Sequence, residues 1–427
     1  MDLRERLEHL AGLGIARTVS AWEILRTGAT FNPLTRQHRV DPYPAYRRLR
    51  ERDPVHRSPL AGGWILSRHR DVVRVLRDAR FSADERHQKR WHKMMARRRR
   101  QGLPDPYEDG MASMLRLDPP DHTRLRNLVS KAFTPRQVER MRPRAEAIVK
   151  ERLARIDGGE MELVADLAAP LPVILIAEML GVPSEDHERF RRLSDQAVQT
   201  LGDATVDAAR EALVAMTELR DYFEGIVEAR RREPRADLIS ALAAAEEAGD
   251  RLSTQELFAT LVLILVAGNE TTTNLISNGV LALLRHPEQL ALLRREPERI
   301  PAAVEELLRY DSPVQLTSRM VLEDLEFEGR TFLRGEQIVL LLGAANRDEE
   351  AFPGADLLDV KRENVRHLSF GQGIHFCLGA QLARLEGAVA LRGLLERFEC
   401  IELATDEVEW GANTVLRGPK RLPLRVG

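Results

Sequence analysis

The sequence predicts a mainly α-helical body with small peripheral β-sheets. Three observations carry that expectation. Helical periodicity runs with little interruption from residue 136 to residue 293, alternating stretches are short and confined to the two ends, and no internal repeat or long linker divides the chain. With 427 residues and 43% hydrophobic composition, the chain has ample material for a large core. Length alone would suggest two or three domains. The absence of a dividing linker instead predicts one domain over residues 1–427, with a β-rich part at about 40–85 and an α-rich body from about 115 onward.

The N-terminal run Asp2-Leu3-Arg4-Glu5-Arg6-Leu7-Glu8 is too charged for the apolar region of a secretory signal. Residues 3–25 have the spacing of an amphipathic helix, expected to pack on the protein surface, with a peripheral membrane role as the alternative. Val55-His56-Arg57 and Trp64-Ile65-Leu66, around Ala61-Gly62-Gly63, read as a hairpin. A second hairpin is expected from Leu325-Glu326-Phe327, through Glu328-Gly329, to Ile338-Val339-Leu340-Leu341. Lys89, Arg90, Lys93 and the run Arg97-Arg98-Arg99-Arg100 form the densest basic cluster. In a chain of net charge −2 they read as a solvated face, and nothing points to a nucleic-acid partner. Two cysteines, Cys377 and Cys400, suit a reducing cytosol and no disulfide scaffold. Cys400 is expected to be a buried strand thiol.

Ser253-Thr254-Gln255-Glu256 has the form of a capping box opening a long helix. Residues 257–266 are apolar on all faces, so that helix should be buried. The apolar stretch 257–268 is too short to cross a bilayer, which takes ~20 residues, so no transmembrane segment is expected. In mid-helix stands Ala267-Gly268-Asn269-Glu270-Thr271-Thr272-Thr273. Gly costs ~1 kcal/mol against Ala in a helix interior. Thr hydroxyls bond back to preceding carbonyls and bend the helix. Such local conflict marks function, although on these residues alone a kinked core helix with a solvated Glu270 serves equally well.

Phe370-Gly371-Gln372-Gly373-Ile374-His375-Phe376-Cys377-Leu378-Gly379 puts a thiol at the end of a glycine-rich loop. Leu382, Leu385, Val389, Leu391, Leu394 and Leu395 then recur at helical spacing. A helix N-terminus favours the thiolate and should lower the Cys377 pKa. Glycines let a flat cofactor approach the backbone closely. Read singly, a free Cys is more often a small buried hydrophobe.

This decapeptide resembles the haem-binding signature of cytochrome P450, the haem-thiolate monooxygenases, Phe-Gly-x-Gly-x-His-x-Cys-x-Gly, and matches it at every specified position. The resemblance implies the P450 fold, with haem b (iron protoporphyrin IX) between a long central helix and the Cys loop. Cys377 would ligate the iron, and Phe370, Gly371, His375 and Gly379 would shape the loop around it. Ala267-Gly268-Asn269-Glu270-Thr271 is similar to the family's Ala-Gly-x-Asp/Glu-Thr, with Glu where many members have Asp. By that likeness Ala267 and Gly268 leave room for dioxygen over the haem, Thr271 bonds the bound oxygen, and Glu270 relays protons. His122 and Arg126, four apart on one helix face, would hold the propionates together with Arg319 and His375. Glu306-Leu307-Leu308-Arg309 resembles the family's Glu-x-x-Arg, a buried structural pair. Residues 86–113 correspond to the loop that closes over substrate, where an Arg would meet an anionic group. Val266, Val314 and Leu316 would line an apolar pocket. The resemblance spans 118–379, with weaker matches at Asp41-Pro42-Tyr43-Pro44 and Arg417-Gly418-Pro419. Phe332-Leu333-Arg334-Gly335 departs from it by lacking the Pro that many relatives carry.

The implied activity is hydroxylation by O2 of a hydrophobic small molecule (fatty acid, steroid, terpenoid or macrolide-like). No flavin or nucleotide fingerprint is visible, so electrons would come from a ferredoxin or flavodoxin and its NAD(P)H-dependent reductase, docking near Arg362, Arg366 and Arg384. A soluble, cytoplasmic monomer is expected. Two alternatives stand beside it: a peroxide-driven haem peroxygenase, against which Glu270 and Thr271 count, and a non-catalytic haem-binding protein such as a sensor. A zinc site would need two further ligands beside His375 and Cys377.

Overall fold

The structure is a computed structural model that describes residues 3–103, 105, 107, 113–197, 206–247 and 250–427. Helix α1 (Leu3–Thr27) lies on the surface. Its inward stripe is Ala16, Ser20, Glu23 and Thr27, and the following segment folds back onto it. Asn32 donates from its amide to the Ser20 hydroxyl at 2.9 Å. Glu23 accepts from the Thr30 hydroxyl at 2.5 Å and faces His56 Nε2 at 3.5 Å. Burial opposes charge on His56, but hydrogen bonds to Asp53 and Glu23 outweigh it and push its pKa up to about 9.

Strands β1 (Val55–Ser58) and β2 (Gly63–Leu66) form the first predicted hairpin. Helix α2 (His69–Arg77), strand β3 (Phe81–Ser82) and helix α3 (Trp91–Arg100) follow. The body then contains α4 (Asp121–Ala132), α5 (Pro170–Leu180), α6 (His187–Ala197), the 31-residue α7 (Thr254–Leu284) and α8 (Ile300–Tyr310). Strands β4 (Leu316–Val321), β5 (Leu325–Phe327), β6 (Arg330–Phe332) and β7 (Gln337–Leu341) precede the last long helix, α9 (Ala380–Arg397).

The main sheet has the order β1-β2-β7-β4-β3, with β7 parallel to β2 and antiparallel to β4. The second hairpin differs from its prediction. Glu328 and Gly329, at φ 48° and 70°, make a two-residue turn that pairs β5 with β6, in register Phe327↔Arg330. The apolar run 338–341 is claimed instead by β2 and β4, which bury it between them. Cys400 is also misplaced by the sequence reading. It is exposed, just before the short strand Ile401–Leu403, where its backbone pairs with the terminal Gly427.

Helix α7 opens on the predicted capping box: Ser253 Oγ accepts from the Glu256 amide at 3.2 Å, and Glu256 Oε2 from the Ser253 amide at 2.8 Å. The apolar stretch 257–268 is only its first half. The whole helix is long and apolar enough to cross a membrane by composition, but it is packed inside the helical core. Glycines set how near its neighbours come. A Cβ on Gly279 would stand 3.1 Å from Leu307 of α8, and one on Gly387 of α9 would stand 3.1 Å from Leu275.

Glu306 and Arg309 on α8 are fully buried, as the Glu-x-x-Arg resemblance implied. The guanidinium makes two 2.7 Å bonds to the carboxylate and also donates to the carbonyls of Asn346, Ala355 and Leu357. Glu306 further accepts from the Asp359 amide. The segment ahead of the Cys loop is thus threaded around one ion pair.

Glu386 of α9 is buried against Thr272 of α7, and burial pushes its pKa up to about 8. Below about 4.5 it is neutral in folded and unfolded chains alike. As pH rises to about 8 only the unfolded chain gains by ionising, so stability falls across that window. Glu386→Gln is therefore expected to raise the melting temperature by about 2 °C at pH 9 and to leave it unchanged at pH 4, read by thermal unfolding at the two pH values.

Candidate active site

Helix α4 brings two basic side chains against the Cys loop. His122 is 1% exposed, and its ring lies 4.3 Å from that of His375. One turn on, Arg126 Nη2 donates to the Phe376 carbonyl at 2.6 Å. Buried Arg319 of β4 faces the same cluster and donates to the Ser318 carbonyl. Burial depresses the His122 pKa, with the charges of Arg126 and Arg319 adding to the effect. His375 is driven down to about 3 by burial, Arg319, His122 and Arg126, and Arg319 to about 10 by burial. Both ring nitrogens of His122 and Nε2 of His375 are buried with no protein partner. Unpaired buried donors beside crowded cations are costly. Two carboxylates would satisfy them with charge-assisted bonds, so this shelf fits haem propionates. Arg319→Leu is expected to weaken haem retention by roughly tenfold, one charge-assisted hydrogen bond, as measured by transfer of haem to apomyoglobin.

The Cys loop is tightly closed. The Cys377 amide donates to the Phe370 carbonyl at 2.9 Å, and the Gly371 amide to the Leu368 carbonyl at 2.8 Å. Gly371 and Gly373 have φ of +67° and +72°, and a Cβ on Gly373 would fall 2.3 Å from the Leu76 carbonyl at the end of α2. Phe370 supports the loop from beside Arg384, whose guanidinium lies 4.6 Å from its ring centroid. The Cys377 side chain is free and exposed, yet protein atoms crowd around it on most sides. Burial pushes its thiol pKa up, against the Gly379 amide and the charges of Arg126 and Arg384. The expected lowering by the helix N-terminus is not found, because desolvation outweighs it. Coordination, which takes the thiolate, would supply the missing stabilisation.

On α7 the packed surface opens at Ala267, which is exposed between buried Val266 and Asn269. Thr271 Oγ1 donates to the Ala267 carbonyl at 2.8 Å, and the helix stays continuous. Gly268 is used for packing: a Cβ there would stand 2.4 Å from Ile176 Cδ1 of α5. Glu270 has one buried oxygen without a partner, and burial, aided by Asp195, raises its pKa to about 7. Asp195 on α6 is held by Asn269 at 3.3 Å and by Arg191 at 2.9 Å. Nothing local in the sequence marks Asp195, because its nearness to Glu270 arises from packing of α6 on α7. Val266 and Val314 join one apolar cluster, whereas Leu316 packs against another that contains Tyr46 and Leu49.

Of the basic residues expected on the Cys side, only Arg366 is exposed with no side-chain partner among the described residues. Arg362 is bound to Glu306 and to the carbonyls of Pro353 and Gly354, and Arg384 to Glu305 through two bonds. In α3, Arg99 faces Asp105, and residues 104, 106 and 108–112 of the expected substrate loop lie outside the described residues.

A helical body with an open thiol at the end of a glycine turn, a shelf of arginine and histidine donors beside it and a small-residue opening on its central helix suits a haem-thiolate enzyme. The sequence profile of the family described as Cytochrome P450 matches residues 85–425. Cytochrome P450 CYP107DY1 of Priestia megaterium is 43% identical over 400 residues, covering 89% of this chain and 94% of that protein. The Vitamin D(3) 25-hydroxylase of Pseudonocardia autotrophica is 42% identical, covering 91% and 94%. The solved structure of the Bacillus subtilis bacillaene polyketide synthase cytochrome P450 PksS superposes with a TM-score of 0.86 at 38% identity, covering 93% of this chain and all of that one. The chain belongs to the cytochrome P450 family. It is a P450 monooxygenase with haem b as its cofactor.

Proposed function

We propose that this monooxygenase hydroxylates C–H bonds of a hydrophobic small molecule, with Cys377 as the iron ligand. One observation carries the assignment of the site: the open Cys377 thiol shares its surroundings with His122, Arg319 and half-buried His375, none of which is ion-paired with a carboxylate among the described residues, and whose buried ring nitrogens lack a partner there. His122, Arg126, Arg319 and His375 would hold the propionates, and Phe370, Gly371 and Gly379 would keep the loop in shape. Haem b supplies the reductive activation of O2, strengthened by electron donation from a thiolate ligand.

The chain's own groups handle protons and position. Thr271, parked on the Ala267 carbonyl, can turn its hydroxyl toward the opening at Ala267 and donate there. Glu270, with a pKa near neutrality, can hold a proton at pH 7 and pass it on. Ala267 keeps the opening free, and Gly268 lets α7 sit close enough to α5 to present it. Val266 and Val314, which join one apolar cluster, give the pocket apolar character, and Leu316 packs away from them. The names of two relatives, a vitamin D(3) hydroxylase and a polyketide synthase P450, support a lipophilic steroid-like or polyketide substrate. Electrons would arrive from a ferredoxin or flavodoxin with its NAD(P)H-dependent reductase, docked on the Cys side where Arg366 is exposed. The protein would act as one unit and as a monomer in the cytoplasm.

Two experiments test this reading. Lipophiles screened against the ferric protein should include one that shifts the iron spin state and is hydroxylated with NAD(P)H, redox proteins and O2. Turnover with hydrogen peroxide alone, and none with O2, would favour the peroxygenase instead. Thr271→Ala should keep haem and substrate binding while product per NAD(P)H falls by roughly tenfold and peroxide accumulates. Unchanged coupling in that variant would remove Thr271 from proton delivery.

A further inference from the structure

We propose that α1 and the segment that follows it form a docking surface for an anionic lipid bilayer. Thirteen large apolar side chains are exposed among the described residues, and six of them lie between residues 15 and 40. Ile15, Trp22 and Leu25 of α1 are 63%, 48% and 88% exposed. Their spacing of seven and three places them on one stripe, turned away from the inward stripe of Ala16, Ser20, Glu23 and Thr27. The helix cannot roll to bury that stripe without pulling Glu23 away from Thr30 and His56. The Asn32 bond to Ser20 holds it in the same sense.

The charge on this surface is one-sided. Within residues 14–52 seven arginines are exposed, one of them (Arg47) paired with Asp356, against two exposed acids, Asp41 and Glu51. The whole chain carries a formal net charge of −2. Arg17, Arg26, Arg36 and Arg48 have no carboxylate partner among the described residues, and the Arg26 guanidinium lies 5.2 Å from the Trp22 ring centroid.

This combination selects the occupant. An acidic protein or a nucleic acid would account for the arginines and leave the apolar stripe in water. A second copy of the chain would cover the stripe but set the unpaired arginines beside it, Arg17 and Arg26, against their own copies. An anionic bilayer takes both. Trp and aliphatic side chains enter the headgroup boundary while Arg side chains reach the phosphates. Each basic residue near such a surface adds to binding, and salt screens it.

The test is co-sedimentation of the haem-loaded protein with vesicles of phosphatidylcholine alone and of an equimolar phosphatidylcholine–phosphatidylglycerol mixture. Binding is expected to the mixed vesicles only, weakening as salt is raised. Trp22→Glu combined with Leu25→Glu should lower the partition coefficient by roughly tenfold or more, and so should Arg17→Gln with Arg26→Gln. An unchanged carbon monoxide spectrum shows that the variants are folded. No binding to the mixed vesicles overturns the proposal, as does binding that neither pair of substitutions changes. A dimer on size exclusion that the Trp22 and Leu25 changes dissociate, with no vesicle binding, overturns it in favour of a second copy.

Discussion

Cys377→Ser is expected to abolish the red-shifted Soret band of the reduced, carbon monoxide-bound protein and to lower monooxygenase turnover by on the order of 10³ or more, about 4 kcal/mol of barrier. A hydroxyl is a harder, weaker electron donor to iron than a thiolate. The loop geometry itself should survive, because its bonds run between backbone groups and not through sulfur: Cys377 N–H to Phe370, and Phe376 N–H to Gly373. Haem content measured on the same sample separates loss of the ligand from loss of the cofactor. If a fully loaded variant keeps the red-shifted band, another thiol binds the iron. Cys400 is the only other one in the chain, and it is exposed beside the C-terminal residue.

Arg309→Ala should destabilise the fold by about 3 kcal/mol, because it takes the principal partner from the fully buried Glu306 carboxylate, which keeps only the 3.3 Å contact with Arg362 and the Asp359 amide. It also removes donors from two buried carbonyls, at Asn346 and Ala355, and from the half-buried one at Leu357. The damage should be felt at the Cys loop, since Asn346 donates to Ser369 at 2.9 Å and accepts from the Leu368 amide at 2.7 Å. Denaturant titration followed by the carbon monoxide band should show an earlier midpoint than unfolding followed by circular dichroism. In the double variant with Glu306→Ala the two effects should sum to less than their separate costs, because the under-paired buried carboxylate is gone. Strict additivity would mean that the two residues act independently.

The parts legible in the sequence were those whose physics is local. The capping box before α7, the conflict at residues 267–273 and the glycine-rich turn before α9 each declare themselves within ten residues. What was not legible depends on the third dimension. The run 338–341 looked like a hairpin partner because it is apolar and extended, but a two-residue turn had already matched β5 with β6. Cys400 looked buried because its neighbours are strand-like, yet it stands at the rim of its sheet. Arg362 and Arg384 read as surface cations, and only packing reveals Glu306 and Glu305 beside them. The Cys377 thiol is the most instructive case: the helix N-terminus is where it was expected, but the protein crowded around the sulfur desolvates it, and desolvation is the larger effect on its pKa.

The tight seat of Gly373 on the Leu76 carbonyl has a practical consequence for shortening this protein. The profile match begins at residue 85, which invites truncation there. Such a cut would remove the backstop of the glycine turn and the partner strand of β7, leaving an unsatisfied ladder edge open to self-association. It would also free the Arg417 guanidinium from its grip on the carbonyls of Arg39 and Val40. The smallest piece able to keep its pigment should therefore start well upstream of the recognisable match, and fragments starting at residue 85 should come out colourless and aggregated.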